Sequence, residues 1–202
     1  MPHAIIHRVA LLSLLALSVL ALSVLAQSGR AQPLPACEWC GADEAPDSLT
    51  ATTTIPTPGE RLRLTGLVMS AEGAPMVDVL TYASHTNASG TYPHRKGETG
   101  NERHHGYLRA WVRAGADGRS TFHTIRPAPY WSRTDPAHIH LTVQLPGQDE
   151  VWIDDVVFEG DPLLTDAYRA GLEHQGGSGI VTLTREDDGP WLAVRDITLP
   201  VD

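Results

Sequence analysis

The sequence contains two histidines, His138 and His140, that are separated by a single residue. They fall in the stretch 137–145, where every second position is apolar: Ile139, Leu141, Val143 and Leu145. This period of two predicts a β-strand on which the two histidines share the other face, with their Cα atoms about 7 Å apart. That spacing suits two ligands of one metal ion. The alternative is a polar sheet face that carries two solvated histidines.

Histidine and tyrosine are both concentrated around this strand. Of ten histidines, seven lie within 85–140. Tyr130 lies in the loop before the strand, and Tyr92 lies in the polar stretch 87–106, which is too long for a simple hairpin and is therefore a candidate functional loop. We expect the other histidines to lie at the surface or to support the site, with the adjacent pair of 87–106 in a solvated loop. The histidines outside the leader to which this expectation applies are His85, His94, His104, His105, His123 and His174.

Three segments resemble, in their order along the chain, the motifs of a known enzyme family. They are Gly90–His94 (GTYPH), Arg119–Val143 (RSTFHTIRPAPYWSRTDPAHIHLTV) and Phe158–Leu163 (FEGDPL). The family is that of the intradiol ring-cleavage dioxygenases, which includes protocatechuate 3,4-dioxygenase and catechol 1,2-dioxygenase. The likeness extends from about Arg61 to Leu199, and it is nearest to the secreted, shortened members.

The resemblance implies a non-haem Fe(III) cofactor. Its ligands would be Tyr92, Tyr130, His138 and His140. Anionic phenolate oxygens favour Fe(III) over Fe(II), and free tyrosine titrates near pH 10, so only a strong Lewis acid would hold two phenolates at neutral pH. In the family, a catechol displaces the tyrosinate that corresponds to Tyr130, and that phenolate accepts a substrate proton. The expected partners are a small aromatic diol and O2, and the expected product is a cis,cis-muconate-type diacid.

Two positions depart from the family's pattern. Asp135 stands where well-studied members carry an arginine, and Asp155 stands where they carry a glutamine. Arg133 is the candidate to supply the missing positive charge, and with Tyr130 it forms the set of candidate catalytic residues. Because carboxylates invert the local field in a dry site, we expect a preference against anionic catechols such as protocatechuate.

These departures keep two other functions open. The first is an exported β-sandwich of the same fold that binds a metal or ligand and has no oxygenase activity, for which Asp135 and Asp155 are the best indication. The second is a Zn or Cu site held by histidines and carboxylates, because a His-x-His pair suits both metals.

The secondary-structure elements predicted around these residues indicate an all-β protein. With 18 Gly and 15 Pro, turn signals separate about eight short strands, a pattern typical of an antiparallel β-sandwich with long functional loops. The one predicted helix is short and spans 163–172. A formal charge of −9 and a single lysine, Lys96, argue against nucleic acid or an anionic membrane as a partner. A homo-oligomer is compatible with the resemblance.

The N-terminal part divides into a leader and a linker. Residues 1–31 are expected to be a signal peptide, because 9–26 consist only of Val, Ala, Leu and Ser; an uncleaved membrane anchor is the alternative. Residues 32–59 are expected to be irregular, and 60–202 to form the dioxygenase-like domain. Export to an oxidising compartment favours a local disulfide between Cys37 and Cys40 over a redox motif.

Overall fold

A computed structural model describes residues 37, 40–185 and 187–200. The predicted leader, residues 1–31, therefore lies outside the described part of the chain, as does most of the start of the linker. The described strands, numbered in chain order, are β1 (Thr52–Thr54), β2 (Arg61–Ser70), β3 (Leu80–His85), β4 (Arg109–Arg113), β5 (Arg119–Ile125), β6 (His138–Gln144), β7 (Glu150–Trp152), β8 (Val156–Phe158), β9 (Ile180–Val181), β10 (Thr184–Arg185), β11 (Trp191–Val194) and β12 (Ile197–Leu199). The described helices are α1 (Glu102–His105) and α2 (Asp166–Ala170), besides a 3-10 turn at Ala42–Glu44.

The strands form two sheets, which confirms the predicted all-β sandwich. One sheet has the order β1-β5-β2-β11-β10, with β12 also paired to β2. The other has the order β4-β3-β6-β8-β9, with β7 also paired to β6. Alternate residues of β2, such as Leu62, Leu64 and Val68, are buried between the sheets. The predicted apolar face of β6 is buried in the same core, so its other face is left for His138 and His140.

The sandwich departs from the prediction in its strand directions. The pairs β1–β5, β2–β11, β2–β12 and β8–β9 are parallel, so the sheets are mixed and not wholly antiparallel. The parallel partners of β2 come from the end of the chain, which returns alongside it after a long crossover. The strand β1 lies in the segment that was expected to be irregular, and it pairs with Thr121–His123 of β5.

The helices also differ from the prediction. The helix predicted over 163–172 is shorter and begins after Thr165, whose side chain accepts a hydrogen bond from the amide of Tyr168 at 3.2 Å. A Thr in this position satisfies an amide that the first turn leaves without a backbone acceptor. The other helix, α1, lies in the long loop 87–106 and was not predicted. None of the helices in the described part of the chain is long and apolar enough to cross a membrane.

The start of the described chain is fastened to the second sheet. Cys37 and Cys40 form a disulfide, which is the pairing predicted from the sequence. The buried carboxylate of Glu150 accepts hydrogen bonds from the amides of Gly41 and Ala42 at 3.1 and 2.7 Å, and also one from the hydroxyl of Thr142. Since Thr142 lies on β6, these contacts tie the N-terminal segment to the strand that carries the two histidines.

Candidate metal centre

The two histidines lie on a strand that is paired on both sides. Strand β6 is hydrogen-bonded to β3 along one edge and to β7 and β8 along the other. Nδ1 of His138 donates to the carbonyl of Pro136 at 2.7 Å, and Nδ1 of His140 donates to Oδ1 of Asp155 at 3.0 Å. Because a carbonyl and a carboxylate only accept, each Nδ1 carries a proton, which leaves Nε2 as the ring nitrogen that can offer a lone pair toward the tyrosines.

The two tyrosines are carried by loops that hold each other. The loop of Tyr92 follows β3, and the loop of Tyr130 follows β5. The amide of Ala128 donates to the carbonyl of Asn87 at 3.1 Å, and the hydroxyl of Thr86 donates to the carbonyl of Ala128 at 2.7 Å. These hydrogen bonds form a clamp between the loops, and they bring the two phenols to the same point above β6.

Another contact of this clamp requires a glycine. Gly90 has a φ of 74°, and a Cβ at this position would lie 2.0 Å from the carbonyl oxygen of Pro129. Only glycine allows both the left-handed backbone conformation and this close approach. The glycine of the predicted GTYPH segment therefore has a structural reason, which is the approach of one ligand-bearing loop to the other.

The four side chains predicted as metal ligands converge. Oη of Tyr130 lies 2.9 Å from Oη of Tyr92. The same atom lies 3.1 Å from Nε2 of His138 and 3.1 Å from Nε2 of His140. The two Nε2 atoms are 3.3 Å apart. We call this group the Tyr2His2 cluster.

The cluster has too few protons for the contacts it makes. Tyr130 has one hydroxyl proton, so it can donate to only one of the two Nε2 lone pairs that it contacts. The other lone pair faces a neighbouring acceptor, with no proton between them. A cation among these donor atoms would replace that repulsion with attraction, so the residues present fit a metal ion. Two phenol oxygens and two imidazole nitrogens are a donor set that suits ferric iron.

The protein is similar to known dioxygenases over most of its length. A family model described as "Dioxygenase" matches residues 38–191. The chain belongs to the intradiol dioxygenase family. Among the curated relatives, chlorocatechol 1,2-dioxygenase of Rhodococcus opacus is 30% identical over 127 residues, which is 53% of this chain and 47% of that protein. The protocatechuate 3,4-dioxygenase beta chain of Burkholderia cepacia is 31% identical over 112 residues, 52% of this chain and 48% of the relative. The chain thus spans about half the length of the curated relatives it matches.

Solved structures show the same fold. One is the dioxygenase domain of a dioxygenase carbohydrate-binding protein fusion from Streptomyces sp. SirexAA-E. It is similar to this chain with a TM-score of 0.59 and 22% identity, over 84% of this chain and 99% of the other. Wild-type catechol 1,2-dioxygenase of Acinetobacter radioresistens has a TM-score of 0.60 and 19% identity, over 84% of this chain and 60% of the other. At these identities the likeness shows the fold.

Burial favours the uncharged forms of three of the predicted ligands, Tyr92, Tyr130 and His138. It raises the pKa of Tyr92 far above that of a free tyrosine, and the contact with Tyr130 adds to the rise. It also raises the pKa of Tyr130, to which the carboxylates of Asp155 and Asp135 contribute. Burial lowers the pKa of His138. The phenols therefore keep their protons at neutral pH, and a bound Lewis acid would be needed to ionise them, whereas Nε2 of His138 stays available as a lone-pair donor.

The two aspartates that depart from the family's pattern lie in different surroundings. Asp155 contacts His140 on the ring edge opposite to the cluster, an arrangement that orients a histidine toward a metal. Asp135 is half-buried beside the strand entry and accepts a hydrogen bond from the hydroxyl of Thr134 at 2.8 Å. A carboxylate of Asp155 and both histidines could hold a metal by themselves. The hydrogen bond from His140 to Asp155 instead favours the tyrosines as the remaining ligands.

Arg133, the candidate catalytic arginine, lies outside the cluster. It is exposed on the turn after Tyr130, with a φ of 52°, and its amide donates to the carbonyl of Tyr130 at 2.9 Å. The side chains that converge do not include it. The turn also carries Trp131, which is 86% exposed.

Two further histidines are buried near the elements that carry the cluster. His105 was expected in a solvated loop; this is wrong, because it ends α1 and is buried, with Nδ1 2.7 Å from Oη of Tyr82. Its ring packs near that of Tyr92, with centroids 6.5 Å apart. His85 is also buried, and its ring nitrogens contact the carbonyl of Thr86 and the hydroxyl of Thr124 at 2.7 and 2.6 Å. Apolar and polar residues do not alternate regularly along β3, so the sequence pattern gave no signal that His85 is buried.

Proposed function

We propose that this protein is a non-haem Fe(III) intradiol dioxygenase that cleaves a catechol-type aromatic with O2 to a cis,cis-muconate-type diacid. The observation that carries the proposal is the convergence of the Tyr2His2 cluster, in which the Nε2 atoms of the two histidines are 3.3 Å apart. Membership of the dioxygenase family supports it. When bound, the ferric ion would act as a Lewis acid that binds both catechol oxygens and makes the ring reactive toward O2.

The protein's own residues divide the remaining work. His138 and His140 are held in one orientation by Pro136 and Asp155, so they provide a fixed half of the site. Tyr130 lies on a loop and contacts the other three ligands. It is therefore placed to give way to a catechol and to accept a hydroxyl proton at Oη. Tyr92, which contacts Tyr130 at 2.9 Å, would stay in place as the other phenolate ligand.

The visible spectrum of the iron-loaded protein tests this proposal. Phenolate bound to Fe(III) gives a broad burgundy charge-transfer band, and we expect the band to change in Tyr130→Phe. Tyr107→Phe is the matched control, because Tyr107 lies outside the cluster and packs against Arg95. A protein that stays colourless with added iron would exclude the Tyr2His2 assignment, and Zn or Cu binding by the histidines and Asp155 would then take its place.

A second candidate is a metal-binding protein of the same family without oxygenase activity. The position of Asp155 favours it, because a carboxylate lies beside His140 where the family's pattern has a neutral amide. Oxygen uptake with catechol, followed by detection of the diacid, separates the two candidates. A coloured protein that takes up no oxygen would be the binding protein, whereas uptake of one O2 for each diacid formed would be the enzyme.

We also infer that the protein is exported. The disulfide between Cys37 and Cys40 supports export, since such bonds persist in oxidising compartments. Fractionation of the producing cell, with mass spectrometry of the N-terminus, tests the inference. Recovery of the intact N-terminus from the cytosol would contradict it.

A further inference from the structure

The loop that carries Tyr92 has an attachment besides the clamp at Gly90. Helix α1 lies near the end of this loop, and the two residues after the helix return to the residue that follows Tyr92. The amide of Tyr107 donates to the carbonyl of Pro93 at 3.1 Å. Gly106 has a φ of 59°, and a Cβ at this position would overlap the same carbonyl oxygen. The end of α1 therefore lies directly against the backbone next to Tyr92.

The ring of Tyr92 also lies close to α1. The imidazole of His105, the last residue of the helix, has its centroid 6.5 Å from that of the Tyr92 ring. Nδ1 of His105 is 2.7 Å from Oη of Tyr82 on β3, and both of these residues are buried. A displacement of α1 would thus change the surroundings of Tyr92 at its backbone and at its ring.

The start of α1 is held by Glu44, which belongs to the N-terminal segment. One carboxylate oxygen, Oε1, accepts a hydrogen bond from the amide of Asn101 at 2.8 Å. The other oxygen, Oε2, pairs with Nη1 of Arg109 on β4. The approach is close, because a Cβ on Gly100 would overlap Oε1 of Glu44. Glu44 therefore joins the residue before α1 to the strand that follows the helix.

The charge of Glu44 is compensated by these two partners. Burial alone would raise the pKa of the carboxyl, but the amide of Asn101 and the guanidinium of Arg109 hold it below its usual value. The side chain of Arg109 is only 9% exposed, and its Nη2 also lies 3.4 Å from Oε1 of Glu102 in α1. Such a pair is screened less by water and salt than a pair at the surface.

The segment that carries Glu44 is itself fixed to the sandwich. Nε1 of Trp111, on β4, donates to the carbonyl of Gly41 at 2.6 Å. Gly41 also packs on β3, since a Cβ at this position would lie 2.8 Å from ring atoms of Tyr82. Nδ2 of Asn101 donates to the carbonyl of Cys40. Glu44 therefore connects α1 to a part of the chain whose position is set by the strands.

We propose that Glu44 is a positioning residue for Tyr92, because it holds α1 and α1 holds the tyrosine where its phenol meets the other ligands. The inference rests on the proposed dioxygenase function, since it assigns a role toward the same metal centre. It extends the site to the segment 32–59, which the sequence pattern placed outside the dioxygenase-like domain. Glu44 takes no part in the chemistry at the ring.

Iron affinity tests the inference in four proteins, which are the wild type, Glu44→Ala, Tyr92→Phe and the double variant. We expect Glu44→Ala to weaken iron binding about tenfold in a competition titration with a chelator, because Tyr92 would no longer be held toward the metal. Tyr92→Phe removes the same ligand outright. If Glu44 acts through Tyr92, Glu44→Ala should weaken binding by less than about twofold in the Tyr92→Phe background.

The visible spectrum at saturating iron is a readout that a general loss of stability would not change in this way. In Tyr130→Phe, the charge-transfer band would come from Tyr92 alone, and adding Glu44→Ala should weaken or shift it. In Tyr92→Phe, the band would come from Tyr130, and adding Glu44→Ala should leave it unchanged. Equal changes of the two bands would overturn the assignment of Glu44 to Tyr92.

Two further variants assign the effect to the carboxylate. Glu44→Gln keeps an acceptor for the amide of Asn101 and loses the charge that faces Arg109, so iron affinity should fall less, by about threefold. Glu72→Ala makes the same change of net charge as Glu44→Ala on the exposed turn after β2, and it removes a hydrogen bond of 2.9 Å with Ser70. It should leave iron affinity unchanged. Equal losses in Glu72→Ala and Glu44→Ala would show an effect of overall charge and overturn the inference.

Hydrogen exchange of the iron-free protein separates this inference from the proposed function. In Glu44→Ala, the amide of Tyr107, which donates to Pro93, should exchange faster, whereas the amide of Ile55, which is hydrogen-bonded to β5, should not. Unchanged exchange at Tyr107, or an equal loss of iron affinity with and without Tyr92→Phe, would overturn the inference alone. A protein that stays colourless with added iron would overturn the proposed function, and the exchange rates would still report whether Glu44 holds the loop.

Discussion

The candidate metal centre is built from two halves that are held in different ways. His138 and His140 lie on β6, which is hydrogen-bonded along both edges and buried on its apolar face. Tyr92 and Tyr130 lie on loops that are held mainly by each other, through the clamp at Ala128 and Gly90. The sheet fixes one pair of ligands in advance. The two tyrosines depend instead on contacts between loops, and the proposed function requires one of them, Tyr130, to give way to substrate.

The strongest test of this difference is a substitution in the clamp. Gly90→Ala places a Cβ 2.0 Å from the carbonyl oxygen of Pro129 at a residue with a φ of 74°. We expect the free energy of unfolding to fall by about 3 kcal/mol, from backbone strain and the displaced carbonyl together. Iron affinity should fall as well, because the two tyrosines would separate. Urea unfolding and iron titration measure the two effects.

A second glycine in the same loop provides the control for Gly90→Ala. Gly97 has a φ of 89°, and a Cβ at this position would meet nothing within 4 Å. Gly97→Ala should therefore cost only the backbone strain, about 1 kcal/mol, and leave iron affinity unchanged. If both variants lose equal stability and bind iron equally, the loops do not hold each other as described.

The histidine half has its own weak point, which is Asp155. His138 is anchored by a backbone carbonyl that no substitution removes, whereas His140 is anchored by a side chain. We expect Asp155→Ala to weaken iron binding by about 10- to 100-fold. Asp155→Asn keeps an acceptor for Nδ1 of His140 and should lose less. A competition titration with a chelator measures both variants, and unchanged affinity in Asp155→Ala would show that the strand alone orients His140.

The same division explains how much could be predicted from the sequence. The strand that carries His138 and His140 could be predicted from the sequence pattern alone, since an alternation with a period of two determines which side chains share a face. Tyr92 and Tyr130 could be assigned only through the family resemblance, because a loop has no period that places its side chains. His105 was misplaced for a related reason: its burial depends on Tyr82, 23 positions away in the chain. The parallel pairings of β1 with β5 and of β11 with β2 likewise depend on partners that are distant in sequence.

The sheets and the loops each contain a buried histidine, so the two parts can also be compared through their response to pH. Burial lowers the pKa of His85, on β3, and of His105, beside Tyr92, to about 4. The folded protein therefore resists protonation that the unfolded chain accepts below its ordinary pKa, near 6.5. Stability is full above pH of about 6.5 and falls as the pH drops toward 4, by up to about 1.4 kcal/mol per pH unit for each histidine.

Variants divide this pH dependence between the halves. Urea unfolding of the iron-free protein between pH 7 and 4 should show a smaller slope in His85→Gln, because glutamine takes no proton. His105→Gln should reduce the slope equally if the loops unfold together with the sheets. A smaller effect of His105→Gln would show that the loop half opens before the sandwich, which would sharpen the contrast between the halves. An unchanged slope in His85→Gln would contradict the prediction.

The smallest effect is expected at the tip of the Tyr130 loop. Trp131 is 86% exposed, so its side chain contributes little packing, although its backbone lies beside the clamp at Gly90. Trp131→Ala should change the free energy of unfolding by less than about 0.5 kcal/mol and leave iron affinity unchanged. The result distinguishes a loop that is held by its backbone from one that is held by its side chains. A loss of iron affinity in Trp131→Ala would mean that the indole ring, and not the clamp, keeps Tyr130 in place.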